Sequence, residues 1–266
     1  MIKLFVRKYY FYFYTTIFLG SLLILSAPAL TAEGNRFNDS FNRSKKLLEN
    51  QIYYDHRFTL YCNAEFNAEK MVAIPDGFDT SKHSARSNRI EWEHVVPAEN
   101  FGRTFTEWRE GASDCYNTNG TSFKGRKCAE KVNQEYRYMQ SDMYNLYPAI
   151  GSVNATRLNY NFTQFQNDTP SSFGSCQMKI KDKKAEPPPH ARGVIARTYR
   201  YFETTYPRYQ MSASQRQLMQ TWDKMYPVTE WECIRACRIE RIQGNENKIV
   251  KEQCIENNIW PQEESC

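Results

Sequence analysis

Eight cysteines constrain the fold of this chain more than any other feature: Cys62, Cys115, Cys128, Cys176, Cys233, Cys237, Cys254 and Cys266. Their number is even, and all of them follow an apolar amino-terminal run. In an oxidising compartment such a set closes into disulfides and dictates which segments must meet. The amino terminus supplies the route to that compartment. Lys3, Arg7 and Lys8 make a positive n-region, Tyr9 to Leu25 is aromatic and aliphatic, and small residues follow at Ala27-Pro28-Ala29 and Ala32. This order marks residues 1–32 as a signal peptide, cleaved after Ala29 or after Ala32. A retained membrane anchor is the competing reading, because the apolar run is long for an h-region. The small residues favour removal, and with it no stable membrane association. A structural zinc site is disfavoured, since Cys233-Ile234-Arg235-Ala236-Cys237 lacks the paired Cys-x-x-Cys arrangement. Cys115 and Cys128 bound a stretch rich in Ser, Thr, Asn and Gly, so a local disulfide there would tie a loop at its base.

Removing residues 1–32 takes away three positive charges, so the formal net charge of +5 becomes +2. A nucleic-acid partner would therefore need a local basic patch rather than overall steering. The remaining stretch, 33–266, is long enough for one domain with a real core and contains no repeat or interior linker. Apolar spacing predicts helices over Asn35 to Asn50, Lys127 to Met143, Gly151 to Phe162, His190 to Tyr206, Ser212 to Tyr226 and Val228 to Ile242. Strands are predicted over Arg57 to Cys62, Arg89 to Val96, Ser175 to Lys181 and within Tyr144 to Ile150, the last ended by Pro148. Pro97 opens a short helix. The fold class is α+β, in a single domain.

Chemistry concentrates at Glu93-His94. A carboxylate holds a hard divalent cation, and a neutral imidazole with a pKa of about 6.5 takes a proton from water near neutral pH. Alone, a histidine is more often structural, and Glu-His is a common dipeptide. The surrounding motifs change that balance. Glu91-Trp92-Glu93-His94-Val95-Val96-Pro97-Ala98 is followed by Ser141-Asp142-Met143-Tyr144-Asn145-Leu146-Tyr147-Pro148-Ala149-Ile150-Gly151-Ser152-Val153-Asn154. Then come Arg192-Gly193-Val194-Ile195-Ala196-Arg197-Thr198-Tyr199, Tyr226-Pro227-Val228-Thr229-Glu230-Trp231-Glu232-Cys233 and Ile242-Gln243-Gly244-Asn245. In this order, and over nearly all of the chain after residue 32, they resemble bacterial endonuclease I, the periplasmic or secreted non-specific nucleases with a ββα-metal (His-Me finger) core.

The resemblance implies a monomeric, metal-dependent endonuclease that cuts DNA, or DNA and RNA, without sequence specificity and leaves 5′-phosphate ends. His94 corresponds to the general base. Glu93 and Asn154 correspond to the ligands of one Mg²⁺ (or Ca²⁺ or Mn²⁺), and Arg126 to the arginine that holds phosphate through its planar fork. The family pattern also pairs Cys62 with Cys176 and Cys233 with Cys254, which leaves Cys237 for Cys266. Two departures stand out: Gln140 occupies a place where the family often has an acid, and the loop Tyr116 to Lys124 is longer than usual.

Blander readings stand beside these. Asn154 could cap a helix, Asn145 could compete as a ligand, and Arg126 could be a surface charge. On a regular strand Glu93 and His94 face opposite sides, so both can serve one phosphate only where the strand ends or distorts. Arg192, Arg197 and Arg200 could lie along a DNA backbone or on a solvated helix face. His56, His83 and His190 read as surface or structural, and Trp92, Trp222 and Trp231 as core. A nucleic-acid-binding protein of nuclease descent without turnover, and a disulfide-rich structural module, are the rival functions.

Overall fold

The computed structural model describes residues 34–266, so the signal segment expected over residues 1–32 lies outside the described residues. The first helix starts later than the apolar spacing of Asn35 to Asn50 predicts. Asn35 Oδ1 accepts the amides of Phe37 and Asn38, and Asn38 Oδ1 accepts that of Ser40. These short side chains compete for the amides a helix would use. Helix α1 (Phe41–Leu47) begins only where Ser40 caps the amide of Arg43, and it runs on as a π-helical turn over Leu48–Ile52. The strand predicted over Arg57 to Cys62 does not form. Thr59 Oγ1 accepts the Ala64 amide and Asn63 takes a φ of 48°, so the chain turns back on itself and leaves an isolated Phe58–Glu65 bridge.

Strand β1 (Ile90–His94) leads through Pro97 into α2 (Ala98–Gly102) and the single turn α3 (Thr106–Arg109). The helix predicted over Lys127 to Met143 is two helices, α4 (Arg126–Val132) and α5 (Gln134–Gln140). Asn133 separates them: its backbone is extended and its side chain caps the amide of Tyr136. Strand β2 (Leu146–Ile150) then pairs antiparallel with β1, Glu93 opposite Tyr147 and His94 opposite Leu146. Pro148 does not end β2 but sits in its middle, opposite Trp92. A two-stranded sheet has only edge strands, so the missing N–H of proline points to the unpaired side at no cost to the ladder.

Helix α6 (Gly151–Arg157) follows β2 without a loop. A Cβ on Gly151 would meet the Arg86 carbonyl at 2.5 Å and Glu91 Oε1 at 3.0 Å, so only glycine lets α6 start this close to β1. The ribbon and this helix form a ββα unit. Short strands β3 (Asn161–Phe162), β4 (Lys179–Lys181) and β5 (Lys184–Glu186) make a second small sheet. Four helices complete the chain: α7 (Pro189–Thr205), α8 (Ala213–Met225), α9 (Glu230–Gln243) and α10 (Lys248–Glu256). The result is a mixed α+β fold.

The ribbon separates two apolar clusters. Ile90, Trp92 and Leu146 belong to one, with Leu48, Tyr144 and Ile239; Tyr147 and Ala149 belong to the other, with Tyr61, Phe101, Tyr199 and Trp222. Burying both faces of so short a ribbon holds its register, since a slip of one residue would exchange the two sets. Disulfides join Cys62 to Cys176, Cys115 to Cys128, Cys233 to Cys254 and Cys237 to Cys266. No helix among the described residues is long and apolar enough to cross a membrane.

Candidate active site

A cleft of about 920 Å³ is lined by all five residues of β1 together with Phe41, Lys45, Arg126, Asn154 and Leu158. Consecutive strand residues point alternately to opposite faces, so a cavity that touches every one of them must run along the free edge of the strand. Beyond Ile90, whose amide donates to the Lys70 carbonyl, the edge of β1 away from β2 has no strand partner among the described residues. Glu93 and His94 therefore reach one cleft from opposite faces of the strand, at its carboxyl end, and no distortion is needed. His94 is the last residue of β1.

His94 is buried, packed between Phe41 (ring centroids 4.9 Å apart) and Phe101 (6.3 Å). Its Nε2 lies 2.8 Å from the Gln140 carbonyl oxygen, which can only accept, so Nε2 carries the proton and Nδ1 bears the lone pair. Arg126 Nη2 stands 3.3 Å from that Nδ1. Burial, and then the charge of Arg126, pushes the imidazole pKa down to about 3. Gln140 thus contributes its backbone, and its own amide is buried without a hydrogen-bond partner.

Glu93 is also buried. Its Oε1 accepts from the Tyr61 hydroxyl and from Arg157 Nη1, each at 2.8 Å. Burial pushes this carboxyl upward in pKa, while Arg157 and Tyr61 pull it the other way. Arg157 has no exposed side-chain surface, and it also donates to the carbonyls of His94 (3.0 Å) and Val95 (2.8 Å). One guanidinium thereby ties the last helical residue of α6 to the end of β1. It fixes one glutamate oxygen, while Oε2 has no hydrogen-bond partner among the described residues.

Asn154 is not a cap. It lies within α6, whose first turn follows Ile150, and its Nδ2 donates to Glu91 Oε2 at 3.0 Å. Glu91 is in turn gripped by Arg86. Committing Nδ2 to a carboxylate orients the amide, so Oδ1 is the atom left to face a ligand. Glu93 Oε2 and Asn154 Oδ1 are two hard oxygen donors on one cleft, a set that suits a hard divalent cation keeping most of its sites for water and phosphate. Among the described residues no three His, Cys, Asp or Glu side chains gather as a closed metal cage. Asn145 is not a competitor, because Oδ1 accepts the Val96 amide and Nδ2 donates to the Val96 carbonyl.

The structure brings Glu93, His94, Arg126 and Asn154 to one cleft but leaves the arginines of α7 out of it. Arg197 is 1% exposed and donates to both oxygens of Glu232 and to Asp223. Arg192 donates to Glu186 and the Pro187 carbonyl, and Arg200 pairs with Asp223. A fully paired, buried guanidinium offers no donor to phosphate, so the reading of Arg197 as a DNA contact is corrected: this face of α7 packs on α8 and α9. The basic surface lies instead at the cleft, where Lys45 and Lys46 of α1, Arg89 and Arg126 make no ion pair among the described residues. Two neighbouring lysines on one short helix were the only local sign of it. Arg157 gave none, since its partner stands 64 positions away.

A ββα unit that holds an imidazole by a backbone carbonyl, next to a carboxylate at an open basic cleft, has the layout of a phosphodiester hydrolase. Residues 40–254 match the family model described as Endonuclease I. The chain is 40% identical, over 81% of its length and 90% of the relative's, to a protein of Aeromonas hydrophila named extracellular deoxyribonuclease. It is 39% identical to one named periplasmic deoxyribonuclease from the same organism, over 89% of this chain and 94% of the relative's. It is 36% identical to one named Endonuclease-1 from Buchnera aphidicola, over 91% and 96%. The chain belongs to the Endonuclease I family.

Proposed function

We propose that this protein is an exported, metal-dependent endonuclease that hydrolyses DNA without reading sequence. The observation that carries this is the pose of His94. Its Nε2 proton is held by the Gln140 carbonyl, so Nδ1 is fixed as the acceptor, and burial beside Arg126 keeps the ring unprotonated until phosphate draws that charge away.

A phosphodiester entering the cleft meets Arg126, whose guanidinium transfers from the imidazole to two phosphate oxygens and uncovers Nδ1. His94 then accepts one proton from water as that water attacks phosphorus. The P–O3′ bond breaks, the 3′-oxygen takes a proton from a second water in the cleft, and the phosphate stays on the 5′ side. Glu93 and Asn154 would hold the divalent cation, Mg²⁺ with Ca²⁺ or Mn²⁺ as alternatives, which when bound supplies charge neutralisation at the phosphoryl oxygens. Arg157 and Tyr61 keep the Glu93 carboxylate aimed at it.

Export fits four disulfides and relatives named as extracellular or periplasmic. Incubation with supercoiled plasmid tests the reading. Degradation in Mg²⁺, loss of it in EDTA and recovery on adding Mg²⁺ back are expected. DNA binding without cleavage in any of these metals would leave a binding protein of nuclease descent.

A further inference from the structure

Leu158 is the one apolar residue, other than glycine, with a positive φ among the described residues; the others are Asn63, Lys70, His83, Asp182, Lys183 and Asn258. Its backbone, φ 53° and ψ −132°, also lies outside the left-handed helical well that His83 occupies. A Cβ makes this conformation costly, and glycine takes it freely. Leucine is therefore a poor choice for the fold. The side chain does not repay the cost by packing either, because it is 56% exposed.

Its position indicates what it serves. The Leu158 amide donates to the Asn154 carbonyl, so Leu158 follows Asn154 by one helical turn and lies about 6 Å along the same face. Both line the cleft. The charged groups there, Lys45, Lys46, Arg89 and Arg126, suit phosphates, whereas an isobutyl group has no use for a phosphate. The apolar surfaces that DNA offers at such a distance from a bound phosphate are the deoxyribose carbons and the faces and edges of the next base.

We propose that Leu158 is a substrate contact: it packs on the sugar and base of the nucleotide beside the scissile phosphate, and the strained backbone at the end of α6 is what carries it there. This rests on the nuclease reading above. A single strained leucine, rather than a basic side chain, thus gives the cleft its grip on the nucleoside as distinct from the phosphate.

Leu158→Gly tests it, with Leu158→Met as the apolar control. Relief of the backbone should raise the thermal midpoint of the glycine variant. Its affinity for duplex DNA in EDTA and its kcat/KM on plasmid in Mg²⁺ should each fall about tenfold, the loss expected from removing one apolar contact. The concentration of Mg²⁺ giving half-maximal rate should not move, and Leu158→Met, which keeps an apolar side chain, should lose less affinity and less kcat/KM than Leu158→Gly. Unchanged DNA affinity and cleavage in Leu158→Gly would overturn the proposal. So would a raised Mg²⁺ requirement with unchanged affinity in EDTA, which would make Leu158 a support for Asn154. If the unmodified protein fails to cut DNA in any metal, it is the nuclease reading that fails; the affinity comparison in EDTA still decides the role of Leu158.

Discussion

Arg157 shows how one residue can join the fold to the chemistry. Its two terminal nitrogens donate to Glu93, the carbonyls of His94 and Val95, and the Tyr199 hydroxyl, in a place without solvent, while Nε is left without a hydrogen-bond partner. Removing one member of a buried charge pair strands the other, at a cost of about 3–5 kcal/mol. Arg157→Ala should therefore lower the urea unfolding free energy by about that amount. Arg157→Lys should not restore it, because one ammonium cannot span a carboxylate and two carbonyls. A loss below about 1 kcal/mol would show that the strand end is held by something else. At this scale the sequence was partly legible. Glu93, His94, Arg126 and Asn154 stand in motifs and could be placed in one site. Arg157, Tyr61 and the covered state of Arg197 depend on partners far along the chain, and no local spacing encodes them.

Among elements, the junction between α5 and β2 sets the pose of the imidazole. Asp142 caps the turn Met143–Asn145 and accepts from the Tyr144 amide, the Gln243 side chain and the hydroxyls of Tyr201 and Tyr206. Just upstream is the Gln140 carbonyl that holds His94, and just downstream is Asn145, which pins Val96. Burial pushes the Asp142 carboxyl above its ordinary value of 3.8, against the pull of these donors. The folded state thus binds this proton more tightly than the unfolded chain does. The contribution is fully present below the unfolded pKa and is lost as pH rises through the folded one. Asp142→Asn, which cannot ionise, removes that dependence. In urea titrations at several pH values, the stability of the unmodified protein relative to Asp142→Asn should increase as pH falls from the folded pKa toward 3.8. A difference that does not vary with pH, or that shrinks, would contradict it.

Most of these elements were readable from period and turn chemistry: the ββα order, the helices from residue 189 to 243 and the cysteine-tied loop. Several misreadings share a cause. Asn35, Asn38, Thr59 and Asn133 spend their side chains on nearby amides and break or delay regular structure, which apolar spacing does not register. Pro148 is the converse, tolerated inside a strand because the sheet has no third member.

The molecule as a whole is a small, four-disulfide scaffold whose net charge is too low to attract nucleic acid by itself. Its cations are instead divided by partner. Those on α7 hold it to β5, α8 and α9, whereas those at the cleft make no ion pairs among the described residues. Composition cannot separate the two sets. Only the packing of α7 on α8 and α9 does.

In the proposed mechanism His94, at the carboxyl end of β1, is the base for phosphodiester hydrolysis in this cleft. The most direct measurement is plasmid cleavage in Mg²⁺ by His94→Ala, beside its DNA affinity in EDTA and its thermal midpoint. A cleavage rate lower by about two to four orders of magnitude is expected, with affinity and folding retained. Degradation at the unmodified rate by a folded His94→Ala protein would contradict it.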